Sequence, residues 1–172
     1  MKNISVRALH PLGRQRYREH YDMHYDDFSI GDVYEHWPGR TITEADCYWQ
    51  THLHANPHPL HFEDEYAAQT EFGRVVVSSL VTLPLVHAMT VASTSVNAIA
   101  NLGWEHIRLS APVYVGDTLY AETEVLDKRL SDSRPGQGIV TVRTRGYKSE
   151  KELVMTFERS FLIVKNATEK DL

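Results

Sequence analysis

The run of residues 75–92 constrains this chain most. It is apolar nearly all round, broken by Ser78, Ser79, Thr82, Pro84 and His87. A helix without a polar face cannot lie on a surface and has to be wrapped on all sides. The interruptions keep the run from reading as a membrane span. Pro84 either kinks the helix or moves its start close to Thr82.

The rest of the chain supplies the wrapping. Residues 119–126, 139–145 and 153–164 are β-branched, alternate in polarity and are separated by Gly- or Ser-rich turns, with 104–110 a further strand. A longer hairpin loop, 131–138, is centred on Arg134-Pro135-Gly136. Upstream, 33–42 looks extended around Pro38-Gly39. Thr43-Glu44-Ala45-Asp46 has the form of a capping box opening a helix to about residue 53. Residues 63–69 read as a short helix with acids in its first turn, where the dipole favours them. The first 25 residues are polar, aromatic and aperiodic, an arm over the body or a neighbouring subunit. The simplest way to bury the apolar helix is to curl the antiparallel sheet around it, an α+β single domain. The expected organisation is an arm over 1–25, a body over 26–165 and a tail over 166–172.

With 172 residues the chain can bury a substantial core, and 42% apolar with 24% charged residues is ordinary for a soluble globular protein. A net charge of −5 gives no footprint for nucleic acid. The basic residues Arg14, Arg16 and Arg18 cluster near the N-terminus. The one cysteine, Cys47, suits a reducing cytoplasm and reads as a buried structural thiol. No signal-peptide run is present, so a cytoplasmic location is expected. Asp46 is read as a cap, and Trp49 and Trp104 as core aromatics.

Function is concentrated in one segment. Four of the ten histidines, His52, His54, His58 and His61, fall within ten positions of a stretch that also holds Pro57 and Pro59. Proline fixes its own φ and disfavours helix in the residue before it. Residues 55–60 are therefore an extended loop holding Asn56 and His61 in a set relation. An amide and an imidazole so held suit proton transfer; the plainer alternative is a loop histidine bonded to backbone. A metal reading is weaker, because no Cys, Asp or Glu joins the loop. No metal and no cofactor is expected.

The run Gly31-Asp32, Gly39-Arg40-Thr41-Ile42-Thr43-Glu44-Ala45-Asp46, Asn56-Pro57-His58-Pro59-Leu60-His61 resembles the MaoC-like dehydratases. So do Glu65-Tyr66-Ala67, Phe72-Gly73, Ala111-Pro112-Val113 and Gly116-Asp117-Thr118-Leu119. These are relatives of the (R)-specific enoyl-CoA hydratases, and the resemblance runs over about residues 28–164. It implies a hot-dog fold, pairing into a homodimer or a multiple of dimers, and an acyl-CoA thioester substrate. It also implies a catalytic aspartate and histidine five residues apart. His61 takes the histidine position, and the aspartate position falls on Asn56, which cannot take up a proton at neutral pH. Asn56 to His61 and Ser133-Arg134-Pro135-Gly136-Gln137-Gly138 resemble the mesaconyl-CoA hydratase and methylmalyl-CoA dehydratase branch.

The resemblance assigns acid–base work to His61 and orientation of water to Asn56. It places a backbone oxyanion donor at Ser78-Ser79, where both serines are also natural N-caps. Thr82 lies one turn on and either faces the site or back-bonds within the helix. Arg108 and Arg134 are candidates for a substrate carboxylate or phosphate, or are solvated surface arginines. The site is expected to bind neither nucleic acid nor membrane. Two other functions fit the fold: a thioesterase, although no acid lies between Gly73 and Asn101, and a non-catalytic acyl-thioester binding protein.

Overall fold

The computed structural model describes residues 7–21, 23–149 and 152–166. Its elements in chain order are β1 (Arg7–Gly13), β2 (Arg16–Tyr21), β3 (Val33–Thr41), α1 (Glu44–Leu53), α2 (Asp64–Ala68), α3 (Ser79–Thr94), β4 (Ala98–Leu109), β5 (Thr118–Leu130), β6 (Gln137–Lys148) and β7 (Glu152–Val164). Five strands form one antiparallel sheet in the order β3-β5-β6-β7-β4. The sheet curls around α3, but not on all sides: Leu80, Pro84, Ala88 and Ala92 leave an exposed stripe along the helix.

Local signals act where they were expected. Thr43 caps α1 through its Oγ1, which accepts from the Asp46 N–H at 3.1 Å, and Asp46 Oδ2 accepts from the Thr43 N–H at 3.0 Å. Alternation along β6 turns Val140, Val142 and Thr144 inward. Val140 and Val142 pack with Phe28, Val125 and Phe161 in one part of the core, while Val81, Leu85 and Val86 of α3 pack with Phe157 and Met155 in another. Each fully buried aliphatic side chain of this size contributes about 1.5–3 kcal/mol. The helix packs tightly on the sheet at Gly146, where an added Cβ would stand 3.0 Å from Val86 and 3.1 Å from Met155.

Four local expectations are corrected. The arm, read as aperiodic, is an antiparallel hairpin, β1 with β2, its turn carrying Gly13 at φ 144° and Gln15 at φ 57°. Residues 1–6 of that arm and 167–172 of the tail lie outside the described residues. Helix α3 starts at Ser79, because Val75 to Val77 are drawn into extended pairing and Ser78 caps the helix. Pro84 sits within it. Strand β4 begins at Ala98, since its first half is an edge without the alternation that marks a half-buried strand. Trp49 and Trp104 are not core aromatics: Trp49 is 78% exposed on the outer side of α1, and Trp104 is 45% exposed on that edge. No helix among the described residues is long and apolar enough to cross a membrane.

Candidate active site

Helix α1 ends in a Schellman turn. The Ala55 N–H donates to the His52 carbonyl at 2.9 Å, and the Asn56 N–H to the Thr51 carbonyl at 3.2 Å. Ala55 takes the left-handed conformation that this turn requires, at φ 51°. The chain then reverses through Pro57 into a single 3-10 turn, Pro59–His61. Two side chains brace that reversal. Asn56 Oδ1 accepts from the His58 N–H at 3.1 Å, and His58 Nδ1 accepts from the Leu60 N–H at 3.2 Å.

The loop is clamped to the segment that leads into α3. The Val76 N–H donates to the Leu60 carbonyl at 3.1 Å, and the Val77 N–H donates to the Val113 carbonyl at 2.8 Å. Most important, His61 Nδ1 lies 2.7 Å from the Val76 carbonyl oxygen. A carbonyl only accepts, so Nδ1 carries the proton and the lone pair of the neutral ring is on Nε2. His61 is half-buried and lines a cavity of about 360 Å³ with Phe72, Ser79, Thr82, Ser110 and Pro112 among its walls. It is the only ionisable side chain among the described lining residues.

The N-terminus of α3 meets this cavity. Ser78 is buried and caps the helix, its Oγ accepting from the Leu80 N–H at 3.3 Å and its carbonyl from Val81 and Thr82. Those bonds occupy the N–H groups of Leu80, Val81 and Thr82 and leave the Ser79 N–H at the cavity available to a ligand oxygen. Thr82 lines the cavity and also donates through Oγ1 to the Ser78 carbonyl at 3.3 Å.

His61, Ser79 and Thr82 are thus gathered in one place, and the remaining candidates are not. Asn56 is half-buried on the same loop, outside the lining, with its oxygen used by His58. Arg108 is exposed near the end of β4, next to the lining residue Leu109, and donates to the Ile107 carbonyl at 3.0 Å. Arg134 is exposed in the β5–β6 loop, at the far end of the sheet from His61. Cys47 is buried, donates to the His61 carbonyl at 3.6 Å, and burial pushes its thiol up, which suits a structural role. No three His, Cys, Asp or Glu converge as a metal site among the described residues. The carbonyl of Val76 and the wall from Ser110 to Val113 carried no functional expectation. Ala111-Pro112-Val113 was the only sequence signal for that wall.

A family model for the MaoC-like domain matches residues 27–147. The chain belongs to the MaoC-like domain family. Mesaconyl-CoA hydratase of Cereibacter sphaeroides is 33% identical over 144 residues, 84% of this chain and 42% of that protein. Beta-methylmalyl-CoA dehydratase of Chloroflexus aurantiacus is 33% identical over 142 residues, 82% and 40%. The chain therefore spans about two-fifths of the length of these curated relatives. Among solved structures, a MaoC domain protein from Chloroflexus aurantiacus superposes with a TM-score of 0.80 at 32% identity, over 84% of this chain and 41% of the other. A monoamine oxidase regulatory protein from Archaeoglobus gives 0.74 at 31%, over 84% and 96%. A Mycobacterium tuberculosis protein described as a double hot-dog fold gives 0.77 at 23%, over 84% and 44%, a likeness of fold alone. The MaoC-like chain has the hot-dog fold that its motifs implied.

Proposed function

We propose that this MaoC-like chain is a hydro-lyase that adds water to, or removes it from, a 2-enoyl-CoA thioester, with a branched C5 dicarboxylic acyl group of the mesaconyl type. The observation that carries the reading is the His61–Val76 hydrogen bond, which leaves a basic Nε2 at the cavity beside a helix N-terminus. In the hydration direction His61 Nε2 takes a proton from water as the water oxygen bonds to C3. The electron pair of the double bond moves onto the thioester oxygen, and the Ser79 N–H donates to that oxyanion. The imidazolium then returns its proton to C2, restoring the neutral tautomer. In this reading Asn56, outside the lining but on the same loop, orients the water through its amide nitrogen, Thr82 in the lining contacts the acyl group, and Arg108, exposed beside the lining residue Leu109, meets its carboxylate.

The working unit in this reading is a homodimer. Strand β4 is a 12-residue outer strand whose Ile99, Leu102, Trp104, Ile107 and Leu109 are all exposed. An open apolar edge of that length favours pairing with another strand, and a second copy of β4 running antiparallel would continue the sheet. The buried lone thiol fits a reducing, cytoplasmic setting.

Mesaconyl-, itaconyl-, crotonyl- and methylmalyl-CoA, followed at the enoyl-thioester absorbance band beside a free-thiol assay, test the activity. Loss or gain of the band without thiol release is expected, strongest with a dicarboxylic substrate. Thiol release would make the protein a thioesterase, and binding without turnover a carrier-binding module.

A further inference from the structure

The hairpin of β1 and β2 lies outside the residues matched by the family model, which begin at 27. Residues 9–20 are exposed throughout. An isolated two-stranded hairpin is marginal in water, so one that is kept has a surface to rest on. Its register pairs Arg18 with His10 and Tyr17 with Pro11, so alternate side chains divide between two faces. One face carries His10, Arg16, Arg18 and His20; the other carries Leu9, Pro11, Tyr17 and Glu19. Leu9 and Tyr17 are 67% and 62% exposed. One side is thus apolar and suited to docking, and the other is basic. Residues 7–21 hold four arginines against one glutamate, whereas 22–172 hold 13 Lys and Arg against 22 Asp and Glu. The hairpin is a cationic element on an anionic body.

Its attachment gives its place. Asn97, just before β4, donates from Nδ2 to the carbonyls of Tyr21 at 2.7 Å and Met23 at 3.0 Å, which ties the hairpin to the start of that strand. Arg134 belongs to the same end, because Ala98 pairs with Ile163 and Gln137 with Val164. The cavity with His61 is at the other end of β4, beside Leu109. Twelve residues of strand separate the two by roughly 36 Å within one chain. Antiparallel pairing of β4 with a second copy reverses that relation: the start of one β4 comes to lie beside the end of the other. The hairpin and Arg134 of one protomer then flank the cavity of its partner.

We propose that the basic face of this hairpin, together with Arg134, binds the phosphates of the coenzyme A whose acyl group occupies the partner's cavity. The apolar face of the hairpin rests on the partner's body. The inference deepens the proposed function, since it requires a CoA thioester and pairing through β4. A reactive acyl group enters the cavity, while the diphosphate and ribose phosphate at the far end of the pantetheine arm stay outside, where arginines on a surface can meet them.

The test compares a CoA thioester with the same acyl group on pantetheine, which lacks phosphate. Arg14→Glu/Arg16→Glu/Arg18→Glu replaces the two arginines of the basic face and the neighbouring arginine of the turn, all exposed. It should raise KM for the CoA thioester at least tenfold, leave kcat nearly unchanged and leave the pantetheine thioester unaffected. An equal change for both thioesters, or none for either, overturns the phosphate site. Assembly in trans is read by mixing this variant with His61→Ala. Heterodimers pair an intact His61 from one chain with an intact hairpin from the other, so the low KM should return; no recovery overturns the crossing of protomers. Wild-type protein inactive on every thioester would sink the hydratase reading instead. Calorimetric titration with free CoA, wild type against the triple variant, would still judge the hairpin.

Discussion

Arg159 Nη1 lies 2.8 Å from His87 Nε2 inside the protein, and no carboxylate is within ion-pair distance of that guanidinium among the described residues. A guanidinium only donates, so His87 accepts through Nε2 and is neutral there. Nη1 and Nη2 also donate to Thr94 and Ser95 at the C-terminal end of α3, where the helix dipole favours a cation, while the buried Nε has no hydrogen-bond partner among the described residues. His36, also buried, bridges Ser93 and Thr123 at 2.7 Å each. Burial first, and the Arg159 charge second, pushes His36 and His87 down to about 4.

Stability should therefore fall as the solution is acidified. Below the ordinary imidazole value of 6.5 the unfolded chain takes up protons at both positions, and the folded chain does not until near 4. Folding stability rises with pH wherever the unfolded state binds more protons. The loss is then confined to the window from about 6.5 down to about 4, with a slope of up to about 1.4 kcal/mol per pH step from His36. Urea midpoints at pH 7.5 and 5 measure it. His36→Gln should flatten the profile, and an unchanged wild-type midpoint at pH 5 would show that these rings are not held neutral.

Replacing His61 with alanine removes the only ionisable group in the described lining. The expected loss in kcat is on the order of 10²–10⁴, the usual worth of general acid–base catalysis. The fold should persist, because the side chain gives up a single hydrogen bond to Val76. Circular dichroism and steady-state kinetics together decide the point: a folded variant that turns over normally removes His61 from the mechanism.

Asn56→Asp separates charge from geometry. Aspartate keeps the oxygen that accepts from the His58 N–H, so the turn survives. With a dicarboxylic substrate the new charge would face another carboxylate. Two unit charges about 5 Å apart repel by roughly 3 kcal/mol at an effective dielectric near 20, or about two orders of magnitude in binding. Turnover of the dicarboxylic thioester should weaken, while a crotonyl-type substrate is spared or improved. Asn56→Ala should impair both. A uniform gain from Asn56→Asp would mean that charge avoidance is not the reason for asparagine.

Ala55 holds a left-handed conformation that costs a residue with a Cβ about 1–2 kcal/mol. Ala55→Gly relieves that cost and adds freedom to the unfolded chain, so a net gain of about 0.5–1 kcal/mol is expected in chemical denaturation. No gain would show that α1 ends in another way in solution.

Much of this architecture is local in origin, and that part the sequence determined by itself. Thr43 and Asp46 form their capping box within one turn. The alternation of β5 to β7 needs only a half-buried strand, and an apolar run of 16–18 residues needs only an enclosing sheet. His61 and its loop were legible because two prolines restrict the chain locally and because the ordered motifs resemble those of the family. Other features depend on contacts between distant residues, which local propensity cannot encode. The hairpin β1–β2 and the first half of β4 are exposed on both faces and so lack the alternation of a half-buried strand, and Trp49 and Trp104 look like core residues until the packing leaves them outside. Arg134 and His61 share one domain, yet strand pairing sets them at opposite ends of it. The proton on His61 Nδ1 is decided by the carbonyl of Val76, 15 residues away in sequence. That carbonyl is brought to 2.7 Å only because the Leu60–Val76 and Val77–Val113 hydrogen bonds lay the loop, the entry to α3 and the strand connection side by side.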